Sequence, residues 1–260
     1  MKNNTEPRKK KALGQHFLRK QSVVDHMIDN VVIDSKTPVL EIGCGDGFLT
    51  RSILDQTKCK KLLCYEIDPE WAEFVNEKIK DPRLEIRVEN FLETELSVLE
   101  NDKPWVLLAN LPYQVTFPIL FKLLENKHLF SEGIVMIQEE VAQKIVAQKG
   151  KGYNATSLFL QYHFELKLME KIEPQAFTPP PKVHSRLIYF KPKLKLEKIP
   201  NEQEFWKFLK LVFKQPRRTL KNNLKQTHHN FSHFSEILIS KRAQQLTFED
   251  FLTVWSQINS

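Results

Sequence analysis

Four consecutive residues near the middle of the chain, Asn110-Leu111-Pro112-Tyr113, have the groups needed to act on a planar amine. The Asn110 amide oxygen and the Leu111 carbonyl can accept both N–H bonds of such an amine, which draws its nitrogen toward tetrahedral geometry and frees the lone pair. Pro112 makes the turn rigid, and the Tyr113 ring can stack on a base turned out of its helix. Taken alone, the string resembles a turn that ends a strand. The motif lies one strand beyond a candidate ribose-binding acid in the same sheet. This placement favours a reaction in which positioned hydrogen-bond acceptors hold the amine.

That acid is Glu66, which ends the predicted strand after a cluster of glycines. The chain has only seven glycines, and three of them are Gly43, Gly45 and Gly47. Their G-x-G-x-G spacing is not the dinucleotide-binding G-x-G-x-x-G, and no Walker lysine follows. The glycine turn therefore lacks a phosphate-binding motif, and it is followed by an acid that can accept hydrogen bonds from both ribose hydroxyls. This combination predicts S-adenosylmethionine as the cofactor. The alternative is a simple tight turn with a surface charge at Glu66, and Asp68 is interpreted as a helix cap.

Strand-like and helix-like segments alternate from residue 39 to residue 191, and the strands are too apolar for a sheet with one solvated face. This pattern predicts an α/β fold with a mostly parallel sheet. After residue 191 only helices are predicted, so we divide the chain into an arm (1–20), an α/β domain (21–191) and a helical domain (192–260). The predicted strands are 39–42, 62–67, 84–88, 105–109, 133–138, 158–171 and 186–191. The predicted helices include 22–32, 48–54, 117–124, 139–148, 205–213, 219–225, 234–245 and 248–258.

The net charge of +7 is unevenly distributed. Residues 1–20 carry seven basic residues against one acidic residue, and residues 191–260 carry 13 against six, whereas the segment between them is net acidic. Two basic ends around an acidic body predict a polyanionic partner, with nucleic acid as the first candidate. For each candidate phosphate contact, a solvated surface remains the alternative. The candidates are Lys9, Lys10, Lys11, Arg19, Arg217, Arg218, Lys221 and Lys225.

Several classes of protein are excluded by composition. The three cysteines, Cys44, Cys59 and Cys64, lack metal-ligand spacing, so neither a disulfide scaffold nor a zinc ribbon is expected, and no metal is predicted. No apolar run reaches the roughly 18 residues of a membrane span, and no signal peptide is recognisable. We therefore expect a cytoplasmic protein and, since no heptad seam is evident, a monomer.

Six motifs in order resemble those of the ribosomal RNA adenine N6,N6-dimethyltransferase family, and most closely its bacterial small-subunit type. They span residues 14 to 220. The strings are Gly14-Gln15-His16-Phe17-Leu18, Glu41-Ile42-Gly43-x-Gly45, Glu66-x-Asp68, Asn110-Leu111-Pro112-Tyr113, Phe177-Thr178-Pro179-Pro180-Pro181-Lys182-Val183 and Arg217-Arg218-Thr219-Leu220.

The resemblance implies a class I, Rossmann-like methyltransferase domain followed by a small helical RNA-binding domain. It implies that two adjacent adenines in the 3′-terminal hairpin of small-subunit rRNA, in the 30S pre-ribosomal particle, are each methylated twice. It also implies a second aromatic wall for the base at Phe177, although a core aromatic that anchors the proline turn is the equal alternative. The implied cofactor-pocket residues are His16, Leu18, Gly43, Gly45, Glu66, Asn90 and Asn110.

Four residues depart from the family pattern. Asn90 replaces an aspartate expected to contact the cofactor's adenine, which predicts weaker rather than lost binding, and Pro216 replaces a basic residue before Arg217. The other two are His184 and Asn154.

Two other functions stay open: a large-subunit rRNA adenine methyltransferase of the macrolide-resistance type, and an RNA-binding assembly factor without activity. The intact Asn-Leu-Pro-Tyr motif argues against the second.

Overall fold

The structure, a computed structural model, describes residues 6–10, 13–225 and 235–258. Its main feature is a seven-stranded sheet in the order β4-β3-β2-β5-β6-β9-β7. The first five strands in this order are parallel, and β9 runs antiparallel to β6. The strands are β2 (Pro38–Ile42), β3 (Lys61–Glu66), β4 (Leu84–Val88), β5 (Trp105–Asn110), β6 (Phe130–Gln138), β7 (Phe164–Ile172) and β9 (Ser185–Pro192). The mostly parallel α/β fold predicted from the alternating pattern is thereby confirmed.

The sheet is covered by helices whose apolar faces point toward it, and a second, two-stranded sheet pairs β1 with β8. The helices of this part are α1 (Gln21–Asp29), α2 (Phe48–Gln56), α3 (Pro69–Lys78) and α4 (Thr116–Glu125), and α5 (Glu139–Val146) follows β6; β1 is Phe17–Leu18 and β8 is Phe177–Thr178. Val39, Leu62, Val106 and Ile134 supply one buried residue from each of four neighbouring strands. Continuous burial of strands such as β2 is expected where helices cover both faces of a parallel sheet.

The strand predicted over 158–171 is wrong in its first six residues. Residues Ala155–His163 form helix α6, and the strand begins only at Phe164. The helix is begun by a capping box in which the Asn154 side chain accepts from the N–H groups of Thr156 and Ser157. The run Leu158-Phe159-Leu160 is apolar enough for either structure, so the cap decides between them.

Backbone contacts divide the chain into two compact units, Met1–Ala142 with Leu166–Pro192, and Gln143–Glu165 with Lys193–Ser260. The second unit therefore includes residues 143–165, which the sequence places in the α/β domain. The reason is that α6 shares an apolar core with the C-terminal helices: Tyr153, Leu158 and Tyr162 belong to the same buried cluster as Phe205 and Phe251.

The helices of the second unit that follow α6 are α7 (Glu202–Val212), α8 (Leu220–Leu224), α9 (Glu236–Ser240) and α10 (Phe248–Ile258). The helix predicted over 234–245 is shorter than expected, because its second half is a separate turn at Ala243–Gln245. Asn223 is buried in this unit and donates from its side-chain nitrogen to the carbonyls of Val212 and Gln215, at 2.9 and 3.2 Å. These bonds tie α8 to the end of α7.

Within the described ranges, no helix is both long and apolar enough to cross a membrane.

Candidate functional site

A cavity lies at the carboxyl ends of β2, β3 and β5, where parallel α/β sheets commonly bind ligands. It brings together most of the residues that the sequence predicts for the cofactor and the chemistry. Its walls are formed by Gly14, Gln15, His16, Phe17, Leu18, Glu41, Gly43, Cys44, Gly45, Asp46, Phe48, Leu49, Glu66, Asn110, Leu111, Pro112 and Tyr113.

The glycine turn connects β2 to α2 and needs the freedom of glycine. Gly43, Gly45 and Gly47 all have positive φ, at 76°, 53° and 85°. A Cβ on Gly45 would also meet the Phe17 ring at 2.9 Å, so this position allows Phe17 to approach closely. The turn is therefore fixed by backbone geometry and by the aromatic side chain packed on it.

Glu66 ends β3 inside the cavity and is only 5% exposed. Its Oε2 accepts from the Gly45 N–H at 3.0 Å, and its Oε1 accepts from the Asp68 N–H at 2.9 Å. Burial raises the pKa of the carboxyl, and the two backbone donors oppose that shift. Asp68 caps α3 by accepting from the Glu70 N–H, so its predicted role as a helix cap is confirmed.

Glu41 is a cavity residue that the sequence reasoning missed. It is 1% exposed in the middle of β2, and its Oε2 accepts from Thr50 Oγ1 at 2.7 Å and from Cys64 Sγ at 3.2 Å. Burial raises its pKa to about 8, so the group is neutral at pH 7. The available signal was an acid inside the apolar run Val39–Ile42.

Asn110 and Tyr113 line the cavity where β5 ends. The Asn110 side-chain nitrogen donates to the His16 carbonyl at 3.0 Å, which leaves the amide oxygen as the acceptor. The Tyr113 hydroxyl is 2.7 Å from Ser185 Oγ, and the Tyr113 ring stacks on His16 with 5.9 Å between centroids. Burial raises the pKa of Tyr113, so the phenol is neutral. These contacts fix the orientations of both side chains.

Phe177 is brought near the arm but not to the cavity wall. It is 3% exposed, pairs with Leu18 between β1 and β8, and belongs to the core of the first unit. This placement agrees with the alternative of a core aromatic. His16, whose Nδ1 is 2.8 Å from the Pro179 carbonyl, connects the same proline segment to the cavity.

Asn90 also lies outside the cavity wall. Its Oδ1 accepts from the Leu92 N–H at 3.1 Å, and its Nδ2 donates to Glu93 Oε1 at 2.7 Å. The side chain thus stabilises the turn after β4. Its contact with the cofactor's adenine stays a prediction.

The basic candidates fall into two groups. In the arm, Lys10 pairs with Asp68, Arg19 pairs with Asp46, and Lys9 lies over the Phe17 ring. In the second unit, four cations are exposed and form no ion pair within the described part of the chain; they are Arg217, Arg218, Lys221 and Lys225. Lys11 is outside the described residues. In residues 6–10, 13–225 and 235–258, no group of three or more His, Cys, Asp or Glu side chains could hold a metal ion.

The sheet is mostly parallel, a glycine turn follows β2, and a buried acid ends the neighbouring strand β3. Together these features define the class I S-adenosylmethionine-dependent methyltransferase fold. The chain belongs to the ribosomal RNA adenine dimethylase family, whose model matches residues 6–260. The family resemblance seen in the sequence is confirmed.

Similar proteins agree with this assignment. Among curated relatives, ribosomal RNA small subunit methyltransferase A of Mesomycoplasma hyopneumoniae is 37% identical over 253 residues, with 95% of both chains covered. The protein of that name from Chlorobium phaeobacteroides is 34% identical, with 98% of this chain and 93% of the relative covered.

Two solved structures are also similar. A dimethyladenosine transferase from Plasmodium falciparum matches with a TM-score of 0.77 at 25% identity, over 94% of this chain and 98% of that one. The 23S rRNA methyltransferase ErmE has the same TM-score at 21% identity, over 94% and 100%, and shares the fold.

Proposed function

We propose that this protein transfers methyl groups from S-adenosylmethionine to the N6 amines of two adjacent adenines in the 3′-terminal hairpin of small-subunit rRNA. The products are N6,N6-dimethyladenosines, made on the 30S pre-ribosomal particle during ribosome biogenesis in the cytoplasm, by a monomer. The observation that carries the proposal is that Asn110 and Tyr113 face the same cavity as the glycine turn and Glu66. The names of the curated relatives support the small-subunit substrate.

The residues present fit the cofactor. Glu66 offers a buried carboxylate at the end of β3, where ribose hydroxyls can donate to it, and Gly43 and Gly45 keep the adjoining wall free of side chains. The cofactor supplies a sulfonium methyl group that is open to direct displacement. Glu41, neutral at pH 7, adds no negative charge to that wall.

The chain's own residues position the acceptor. The Asn110 amide oxygen and the Leu111 carbonyl accept the two N–H bonds of the adenine amine, and the Tyr113 ring stacks on the base. Because Asn110 is held by the His16 carbonyl and Tyr113 by Ser185, these groups are preorganised for the amine. No side chain in the cavity needs to act as a strong base, since the proton released after transfer can pass to solvent.

The experiment is a methylation assay with labelled cofactor and purified 30S or 50S particles, followed by mapping of the methylated adenines. We expect label in small-subunit rRNA; label in 50S particles would instead support the large-subunit activity, and binding without label an inactive assembly factor.

Asn110→Ala should lower turnover by roughly 100-fold or more, because one preorganised partner is lost, and should change cofactor affinity far less. The exposed Asn30→Ala serves as the matched control. Normal turnover in Asn110→Ala would contradict the assigned role.

A further inference from the structure

Residues 14–18 of the N-terminal arm form one wall of the cavity, and in this position they leave little room. The volume of the cavity is about 80 Å³. Pockets for ligands of this size usually measure about 300–1,000 Å³. The arm must therefore move outward when the cofactor enters or leaves.

One side of the arm is held by Asp68, whose side chain is fully buried. Asp68 Oδ1 accepts from Lys10 Nζ at 2.7 Å, and Oδ2 accepts from Gln15 Nε2 at 3.0 Å. Gln15 also accepts from the Lys10 N–H through its Oε1, at 2.6 Å. We call Lys10, Gln15 and Asp68 the latch.

Asp68, which binds Lys10 and Gln15 in the latch, also contacts the candidate ribose-binding residue Glu66. The Asp68 N–H donates to Glu66 Oε1, and Asp68 Oδ1 accepts from the Glu70 N–H at 3.2 Å. Burial alone would raise the pKa of Asp68, but the donors from Lys10, Gln15 and Glu70 outweigh it and hold the pKa below its ordinary value. The carboxylate is thus charged when it holds the arm.

The other side of the arm is held independently. Arg19 pairs with Asp46 of the glycine turn at 2.5 Å, and the Phe17 ring packs edge-on against Trp71 at 4.6 Å between centroids. The pairing of β1 with β8 adds backbone hydrogen bonds at Phe17 and Leu18. Release of the latch would therefore free residues 13–16 and leave Phe17, Leu18 and Arg19 attached.

We propose that Asp68 is a positioning residue for the methyltransferase reaction: through Lys10 and Gln15 it holds the arm closed over the bound cofactor, and latch opening sets the rate at which the product S-adenosylhomocysteine leaves. This role rests on the proposed function, because it needs the cofactor in this cavity. The role goes beyond the proposed function, because it assigns control of the residence time of S-adenosylhomocysteine to residues outside the reacting groups.

The decisive variants leave the helix cap in place. Asparagine caps helices about as well as aspartate, so Asp68→Asn keeps the acceptor for the Glu70 N–H. It removes the charge that attracts Lys10 and places an amide N–H₂ where Gln15 donates. Lys10→Met and Gln15→Ala break the latch from the arm. Lys20→Met is the matched control, since this arm cation pairs with Glu170 at 3.6 Å and not with the latch.

The measurement is the dissociation rate of S-adenosylhomocysteine from the full-length protein by stopped flow, without RNA. Each latch variant should dissociate about 3-fold to 10-fold faster, as expected for the loss of a partly exposed hydrogen bond to a charged group. Lys10→Met should add little in the Asp68→Asn background, because the pair acts as a unit. Thermal midpoints close to that of the wild type would separate this effect from unfolding.

Other outcomes separate the two proposals. Wild-type dissociation rates in all three latch variants, or additive effects in the double variant, would overturn the latch and leave the proposed function standing. A wild-type protein that binds no S-adenosylhomocysteine would overturn both.

Discussion

Replacement of Glu41 by glutamine should remove the part of the stability loss at rising pH that comes from ionisation of the Glu41 carboxyl. The Glu41 carboxyl is buried in β2 and holds its proton to about pH 8, whereas its ordinary pKa is 4.5. The unfolded chain therefore releases this proton first, and folding is increasingly disfavoured between these two values. Below about pH 4.5 the stabilising effect of the bound proton is complete, and it is lost as pH rises through about pH 8.

The magnitude follows from linkage. One proton bound by the folded state alone changes the free energy of unfolding by about 1.4 kcal/mol per pH unit. From about pH 6 to about pH 7.5, wild-type stability should fall by about 2 kcal/mol through Glu41. Glu41→Gln resembles the protonated group, since its amide oxygen can still accept from Thr50 and Cys64.

The assay is urea unfolding of wild type and Glu41→Gln at both pH values, with Glu77→Gln, an exposed glutamate, as control. Other titrating groups are common to all three proteins, so the difference between pH slopes isolates Glu41. Equal slopes for the wild type and Glu41→Gln would refute the reasoning. The control should keep the wild-type slope.

Two further predictions concern the second unit. Asn223→Ala should cost about 1–3 kcal/mol of stability, because the side-chain donor to the Val212 carbonyl is lost in a buried bond and the Gln215 carbonyl keeps only the Arg218 N–H. Asn222→Ala, an exposed neighbour, should change the stability by less than about 0.5 kcal/mol in thermal or urea unfolding. Replacing Arg217 and Arg218 with alanine should weaken RNA binding and reduce its log–log salt slope by about 2, whereas cofactor affinity should not change. Lys207→Ala, a paired surface cation, should leave the slope nearly unchanged, and an unaltered slope in the arginine variant would remove these residues from the RNA surface.

Local chemistry made much of the α/β architecture predictable. Runs such as Val39–Ile42 are long enough for a buried strand and too short for a helix, and the Asp68-Pro69 pair identifies the start of α3 because its cap is local. The glycine turn and Glu66 are recognisable because the turn follows one strand and Glu66 ends the next. Helix α6 is not predictable from its apolar run, which suits either structure, and only the Asn154 cap identifies its start.

The rest of the site depends on contacts between distant residues. Lys10 and Asp68 are separated by 58 positions, so no local pattern shows that one neutralises the other. In the same way, no local pattern shows that Asn90 bonds to Glu93 or that Phe177 is buried where β8 pairs with β1. Motifs predict which side chains are available, whereas packing decides which of them face the cavity.

The division of the chain into units has a consequence for synthesis on the ribosome. The first unit ends at Pro192, but the second unit consists of residues 143–165 together with the chain from Lys193 onward. Helix α6 is therefore synthesised roughly 40 residues before α7 begins. Until the C-terminal helices are made, its residues Leu158 and Tyr162 lack the apolar side chains that bury them. A fragment cut after Pro192 would keep this apolar face permanently uncovered, so the C-terminal unit cannot be removed cleanly by truncation.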